Sequence, residues 1–309
     1  AQAVRATYLE TQSRQSQSAG TSAFGATAAT PEGATVVPQS SYGGAAGIAW
    51  ESGYLLGLRD EGIDVRNADT VIGTSAGSVV GAHLRLGLSD ETSLAMITET
   101  PSIQGMGRWG AADALRFAVA QAAPEARFGR SVLGRAALHA RTMPEDAWIH
   151  TVGAQIAGMP WPDQRLLITA VDAVGGSSVV FTADSEVPIE RAVAASCTVP
   201  GLFPPVDVAG RRYVDGGVRS IANADLAVGH ARVLCLAPFP IAAHPKDWPA
   251  RQLRSLGPQV RTFLAAPRGP ARRAMGVNPF DMRRTRASFA AGRNQGRAEA
   301  GRVRAIWVD

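Results

Sequence analysis

The chain has 309 residues, a formal net charge of +5 and 46% hydrophobic against 18% charged residues. This composition is ordinary for a globular protein and suffices for one large domain or two small ones. It excludes a membrane-spanning helix, since no apolar run approaches the roughly 18 residues required.

The first elements follow a segment of different composition. Residues 1–33 are rich in Ala, Ser, Thr, Gln and Gly, which predicts a flexible or poorly ordered extension before a domain spanning 34–309. Residues 34–37 fit a short first strand, which we expect Pro38 to end. A glycine-rich loop at 43–47 then opens a helix, in which Ile48, Trp50 and Tyr54 begin an apolar repeat that Gly62 would stop.

Strand-like and helical segments alternate along the rest of the chain. The predicted strands cover 70–72, 166–171, 179–182, 212–214 and 232–237. The predicted helices cover much of 89–160, then 188–196 and 285–306. This alternation predicts an α/β fold with a largely parallel sheet.

The segment Gly73-Thr74-Ser75-Ala76-Gly77 follows the predicted strand at 70–72 and precedes a helical stretch. G-x-S-x-G between a strand and a helix is the pattern of a nucleophile elbow, in which the serine lies on a sharp, strained turn. Gly73 and Gly77 would permit the turn, and the following helix would favour negative charge at its N-terminus. Ser75 is therefore a candidate nucleophile.

A serine nucleophile needs a base, and the chain offers two kinds. Of its five histidines, His244 is the best candidate, because it follows the predicted strand that ends at Ala237 and comes after Asp215, which gives the chain order Ser, Asp, His of α/β-hydrolases. Asp215 itself ends a predicted strand and precedes Gly216 and Gly217, which would allow it to approach Ser75 closely. Both a dyad and a triad remain open on this pattern.

The loop Gly43-Gly44-Ala45-Ala46-Gly47 would expose successive backbone N–H groups. These groups could form an oxyanion hole, cradle a phosphate or belong to a structural turn. The loop is not a P-loop, because no Gly-Lys-Ser/Thr follows it. A nucleotide-binding Rossmann domain is a weaker alternative, because the acidic residue that it requires is not clearly present.

Together these motifs resemble those of the patatin-like phospholipases, in particular a bacterial branch with Ile-Ala-Trp-Glu after the glycine loop. The order is the glycine loop and its helix (43–51), the elbow (71–78), the segment 194–205 and Tyr213-Val214-Asp215-Gly216-Gly217. The resemblance covers about residues 43–309.

The resemblance implies a three-layer α/β fold and a Ser–Asp dyad. Ser75 would be the nucleophile, and Asp215 would orient and deprotonate it. The oxyanion hole would come from N–H groups of residues 43–46, and the implied substrates are phospholipids or other acyl lipids. No metal or cofactor is implied. Met106 and Trp109 either line an acyl pocket or belong to ordinary core packing.

Two positions depart from the family pattern. Tyr42 occupies the place of the first loop glycine, and Ala46 the place often taken by Arg or Lys. A bulky residue could misplace an oxyanion donor, and losing one donor costs about 100- to 1000-fold in rate. The alternatives to an active dyad hydrolase are therefore a Ser-His-Asp esterase and a catalytically impaired lipid-binding protein.

Cys197 and Cys235 lie in apolar surroundings, which favours buried free thiols.

Thirteen arginines lie from Arg251 to Arg304, which indicates either a solvated helical surface or peripheral contact with an anionic membrane. No nucleic-acid motif accompanies them. With no signal peptide visible, we expect a cytoplasmic protein.

Overall fold

The computed structural model describes residues 33–40, 44–88, 125–240, 245–276, 278 and 280–307. The extension predicted for residues 1–33 falls almost wholly outside this part of the chain and stays a prediction. Tyr42, Gly43, Met106, Trp109 and His244 also lie outside the described residues.

Within the described ranges, eight strands form one sheet. They are β1 (Ala34–Ser40), β2 (Thr70–Ser75), β3 (Arg165–Asp172), β4 (Ser178–Phe181), β5 (Val206–Val208), β6 (Arg211–Asp215), β7 (Arg232–Leu236) and β8 (Arg261–Ala265). The α-helices are α1 (Gly44–Asp60), α2 (Ala76–Arg85), α3 (Ala126–Leu138), α4 (Glu145–Gly153), α5 (Ile189–Ser196), α6 (Pro249–Ser255), α7 (Pro270–Met275) and α8 (Thr285–Trp307).

The strand order is β5-β6-β3-β2-β1-β7-β8, with β4 also paired to β3. Strands β3, β2, β1, β7 and β8 are mutually parallel. Strands β4 and β6 each pair antiparallel with β3, and β5 pairs antiparallel with β6. The prediction of a three-layer α/β fold with a largely parallel sheet is therefore confirmed.

The two faces of the sheet are buried in separate clusters, because neighbouring residues of a strand point to opposite faces. On β2, Val71 contributes to a core that also contains Trp50 of α1, whereas Ile72 belongs to a second core with Leu253 of α6. Helices therefore cover both faces, which is how parallel sheets are stabilised.

Strand β1 corrects one sequence prediction, since it continues through Pro38 to Ser40. The register with β2 is interrupted between Val36 and Gln39, but the register with β7 runs on to pair Pro38 with Leu236. Pairing with a second neighbour thus carries the strand past a residue that lacks an N–H donor. As a result Ser40 lies directly opposite Ser75.

Helices α1 and α8 pack closely side by side and run in the same direction. A Cβ atom on Gly53 would lie 2.1 Å from the carbonyl oxygen of Phe289, and one on Gly296 would lie 2.2 Å from that of Tyr54. The N-terminus of α8 therefore lies beside the N-terminus of α1. Among the described residues, no helix combines the length and the apolarity that crossing a membrane demands.

Candidate active site

Ser75 is the last residue of β2, and α2 begins at the next residue. Its backbone has φ 56° and ψ −134°, a combination that costs a residue with a side chain on the order of 1–3 kcal/mol. The strand–turn–helix context predicted for residues 70–86 is confirmed, and the strained corner is the geometry of a nucleophile elbow.

The glycines of the elbow permit close contacts with its surroundings. A Cβ atom on Gly73 would lie 2.5 Å from the Cα of Ser78, and one on Gly77 would lie 2.3 Å from the carbonyl oxygen of Pro38. Neither distance is compatible with a side chain. The turn can therefore close only with glycine at both positions.

Strand β3 brings Ser75 and Asp215 together. Its N-terminal part pairs with β2, ending with Thr74 opposite Thr169, and its C-terminal part pairs with β6, in which Asp215 lies opposite Ala170. Because β4 pairs with both Thr169 and Ala170, it occupies one lateral side of β3. Strands β2 and β6 therefore share the other side, where they meet end to end with their carboxyl ends facing each other.

The two predicted dyad residues are in direct contact. Ser75 Oγ donates a hydrogen bond of 2.6 Å to Asp215 Oδ2, and the N–H of Gly217 donates one of 2.7 Å to Asp215 Oδ1. Burial raises the pKa of the Asp215 carboxyl to about 7, although both hydrogen bonds lower it. A carboxyl with this pKa can exchange a proton near neutral pH, which an ordinary aspartate does poorly.

Two further serines hold the backbone of Ser75. The N–H of Ser75 donates to Ser196 Oγ at 3.0 Å, and Ser78 Oγ donates to the carbonyl oxygen of Ser75 at 2.7 Å. Both hydroxyl-bearing residues are buried. Neither serine stands out as a functional residue in the sequence. Ser196 lies in the family-like segment 194–205, but nothing in its local pattern indicates a contact 121 residues away.

Candidate oxyanion donors lie on α1. This helix follows the carboxyl end of β1, at the same end of the parallel strands as Ser75. The helix begins at Gly44, whose φ of 46° favours glycine, and continues through Ala45, Ala46 and Gly47. The first N–H groups of a helix have no partner within it, so they are available to an anion. Gly43, the first of the predicted donors, lies outside the described residues.

Glu51 connects α1 to the end of β1. Its buried side chain accepts a hydrogen bond of 2.9 Å from the N–H of Gln39. This contact fixes the strand end relative to the helix. It gives a structural role to the acidic residue of the Ile48-Ala49-Trp50-Glu51 motif.

The described histidines lie on several elements. His83 is buried on α2, where burial lowers its pKa to about 4. His139 directly follows the last residue of α3, and His150 lies on α4. His230 Nε2 lies 3.0 Å from Thr70 Oγ1, at the end of β2 remote from Ser75. Since His244 is outside the described residues, the triad alternative is untested. Cys197 and Cys235 are buried free thiols, as predicted.

The sequence comparison decides the family. The profile of the patatin-like phospholipases matches residues 42–228, which include the helix α1, the elbow and the Asp-Gly-Gly turn. This chain is a patatin-like phospholipase family member. The resemblance noted from the motifs is thereby confirmed.

Individual relatives are more distant. Uncharacterized NTE family proteins of Mycobacterium bovis and Mycobacterium tuberculosis are 27% identical over 187 residues, which is 57% of this chain. The chain spans about two fifths of their length, since the match covers 41% of each. Among solved structures, VipD from Legionella pneumophila matches with a TM-score of 0.37 and 16% identity, covering 67% of this chain and 50% of that one.

Proposed function

We propose that this patatin-like chain is a lipid acyl hydrolase that cleaves carboxylic esters by a Ser75–Asp215 dyad. Family membership supports lipid acyl hydrolase activity in general. The observation that carries the specific mechanism is the 2.6 Å hydrogen bond from Ser75 Oγ to Asp215 Oδ2, formed at a strained strand-to-helix turn.

The first half of the reaction forms an acyl-enzyme. Ser75 Oγ attacks the ester carbonyl carbon while its proton passes to Asp215 Oδ2. The tetrahedral intermediate then collapses, the carbon–oxygen bond to the leaving alcohol breaks, and Asp215 returns the proton to that alcohol. Water attacks the acyl-enzyme in the second half, with Asp215 again taking and then returning a proton. The raised pKa of Asp215, about 7, suits both directions of transfer.

The negative oxygen of the intermediate needs donors. We assign this role to the N–H groups of Gly44, Ala45 and Ala46 in the first turn of α1, together with Gly43. The helix dipole adds to the hydrogen bonds, because its N-terminal end carries partial positive charge. No acidic residue occupies the first turn of α1.

Labelling with a fluorophosphonate, followed by mass spectrometry of the intact chain, tests the dyad. We expect one adduct, on Ser75, that is absent in Ser75→Ala and forms about 10³-fold more slowly in Asp215→Ala. Ser255→Ala is the matched control, because it removes an exposed serine hydroxyl from α6 and should leave the rate unchanged.

Two outcomes would contradict the mechanism. Near-total loss of labelling in His244→Ala would favour a Ser-His-Asp esterase. A folded wild-type chain that takes no adduct would indicate the catalytically impaired, lipid-binding alternative, with Tyr42 as the first residue to replace by glycine.

We also propose that the arginine-rich C-terminal region contacts anionic lipid, and that this contact involves the active-site edge. This name denotes the end of the sheet at which the parallel strands finish and Ser75 lies. Helix α7 follows the carboxyl end of β8, and the N-terminus of α8 lies beside that of α1. Exposed Arg272, Arg273 and Arg286 therefore lie at the edge that carries Ser75. Phe128, 60% exposed, flanks this edge from α3, whose Arg130 donates a hydrogen bond to the carbonyl oxygen of Gly176 in the turn after β3.

Vesicle sedimentation with matched variants tests this contact. Replacing Arg272, Arg273 and Arg286 by Gln should weaken binding to vesicles containing phosphatidylglycerol by on the order of 100-fold, at ~1 kcal/mol for each arginine. The control replaces Arg261, Arg302 and Arg304, which are exposed near the amino end of the parallel strands. These three substitutions remove the same amount of charge. Equal losses in the two variants would refute a contact confined to the active-site edge.

A further inference from the structure

Asn223 is a buried polar residue that follows the Asp-Gly-Gly turn and has no role in the chemistry described above. It has φ 49° and ψ 29°, the left-handed conformation, which asparagine tolerates better than most residues. Its side chain is fully buried. A buried amide is costly unless its donors and acceptor are satisfied, so its contacts indicate its role.

The amide nitrogen of Asn223 faces four oxygens. It lies 3.1 Å from Thr74 Oγ1 and 3.3 Å from Thr169 Oγ1. It also lies 3.3 Å from the carbonyl oxygen of Gly216 and 2.8 Å from that of Ser220. One amide nitrogen thus contacts β2, β3 and the turn after β6.

The opposite side of the amide is held by a charged group. Arg219 Nη1 donates to Asn223 Oδ1 at 2.6 Å, and the same guanidinium pairs with Asp225. Because a guanidinium only donates, this contact fixes which side of the amide carries the oxygen. The nitrogen is therefore directed at the two threonines and the turn.

Two of these partners adjoin the dyad in sequence. Thr74 immediately precedes Ser75, and Gly216 immediately follows Asp215. A Cβ atom on Gly216 would lie 2.1 Å from Thr169 Oγ1, so the turn is pressed against the same threonine that Asn223 contacts. Thr74 Oγ1 and Thr169 Oγ1 are themselves 2.9 Å apart.

We propose that Asn223 is a positioning residue that sets the separation between Ser75 Oγ and the Asp215 carboxylate. It does so by bridging the residue before the nucleophile and the residue after the carboxylate. Strands β2 and β6 meet only end to end on β3, so no ladder of backbone hydrogen bonds between them fixes that separation. This inference rests on the proposed function, since it assigns the residue to the same dyad.

The test compares Asn223→Gly with Glu186→Gly. Glycine keeps the left-handed backbone while removing the amide, and Glu186, at φ 51° and ψ 30°, is an exposed residue in nearly the same conformation. With a soluble p-nitrophenyl ester we expect kcat of Asn223→Gly to fall about 10- to 100-fold with KM within about twofold, which is the loss typical when a hydrogen-bond partner that orients a functional side chain is removed. Glu186→Gly should match the wild type in both constants.

A double-mutant cycle excludes a merely structural role. Because Asn223 is proposed to act through Thr74, Thr74→Val should lower kcat by itself, and the combined variant should lose less than the product of the two single losses. Asn223→Asp provides a second variant of the same shape, in which an acceptor faces the carbonyl oxygens of Gly216 and Ser220. It should lose at least as much kcat as Asn223→Gly.

The outcomes separate this inference from the proposed function. A wild-type chain that takes no fluorophosphonate adduct defeats the proposed function. If the wild type is labelled, the proposed function stands and three results would refute the inference alone. They are an unchanged kcat in Asn223→Gly, losses in the two single variants that simply multiply in the combined variant, and a fall in activity that only matches the loss of folded protein.

Discussion

Two buried hydroxyl–carboxyl pairs within the described residues differ in their surroundings. Ser75 Oγ donates to Asp215 at 2.6 Å, and Tyr54 Oη, on α1, donates to Glu299, on α8, at 2.8 Å. The first pair connects a strained turn to a strand end, whereas the second joins two regular helices. A short hydrogen bond to a buried carboxyl is thus not sufficient evidence of a catalytic site.

What distinguishes the pairs is the rest of their partners. Glu299 also accepts from Gln295 at 3.2 Å and lies 3.9 Å from Arg268, so its oxygens are occupied by side chains of the helix and its neighbourhood. Burial is the main cause that raises the pKa of the Tyr54 hydroxyl, which therefore stays protonated. Asp215 has instead the N–H of Gly217 and a hydroxyl held on strained backbone. We therefore expect the first pair to react and the second to stabilise.

The largest expected contrast comes from neutralising each carboxyl. Asp215→Asn should lower kcat for a soluble ester by about 10⁴-fold, because an amide cannot accept the proton of Ser75. Glu299→Gln should leave kcat within about threefold of the wild type, since it lies outside the proposed machinery. Steady-state kinetics of both variants would check this, and comparable losses would remove the distinction between the pairs.

The pH dependence should follow Asp215 alone. Attack requires the ionised carboxyl, so the labelling rate of Ser75 should rise with pH to a plateau, with a midpoint near the folded-state pKa of about 7.

The free energy of unfolding should change in the opposite direction and fall as the pH rises. Since folding raises this pKa from 3.8, the protonated carboxyl favours the folded state, and that contribution is lost as pH rises through about 7.

Urea unfolding between pH 4 and pH 8 checks the stability part of this prediction. The wild type should lose unfolding free energy over that interval relative to Asp215→Asn, which cannot titrate at this position. Parallel pH profiles of stability for the two chains would contradict the raised pKa.

A smaller effect is expected from Ser196, which holds the N–H of Ser75. Ser196→Ala should slow labelling of Ser75 by about fivefold, because loss of the acceptor costs roughly 1 kcal/mol and frees the strained turn. The matched control is Ser131→Ala, whose hydroxyl donates to a carbonyl within α3. If both variants label at the wild-type rate, the elbow does not depend on this hydroxyl.

The smallest effect on activity is expected at Tyr54. Tyr54→Phe removes the donor to Glu299 and should lower the free energy of unfolding by about 1–3 kcal/mol while leaving kcat unchanged. Denaturant unfolding and ester hydrolysis, measured on the same preparation, would check both halves. A loss of kcat without a loss of stability would place this pair in the reaction after all.

Local sequence patterns identified much of the fold and both members of the proposed dyad. The apolar runs in β2, β3 and β7 and the helical repeat in α1 predicted their elements, because periodicity reports burial directly. Gly73, Gly77 and the serine between them indicated the elbow, because few residues tolerate its backbone geometry. The Asp-Gly-Gly sequence likewise pointed to Asp215. These signals are local, so a single sequence carries them.

Other features depended on contacts between distant segments. Pro38 suggested the end of β1, but pairing with β7 extends the strand to Ser40. Strands β5 and β8 were not predicted at all. Val206–Val208 is too short for a clear pattern, and Arg261–Ala265 begins in the arginine-rich region that indicated a helical surface. In both cases the partner strand decides the structure.

The sequence by itself thus determined the fold class, the family and the identity of Ser75 and Asp215 as candidates. Only the tertiary structure decided that they touch, because β3 aligns the ends of β2 and β6, strands separated by more than a hundred residues. The roles of Ser196 and Asn223 also arise only there. Each is an ordinary polar residue in its own segment, and its partners become neighbours only after the sheet has formed.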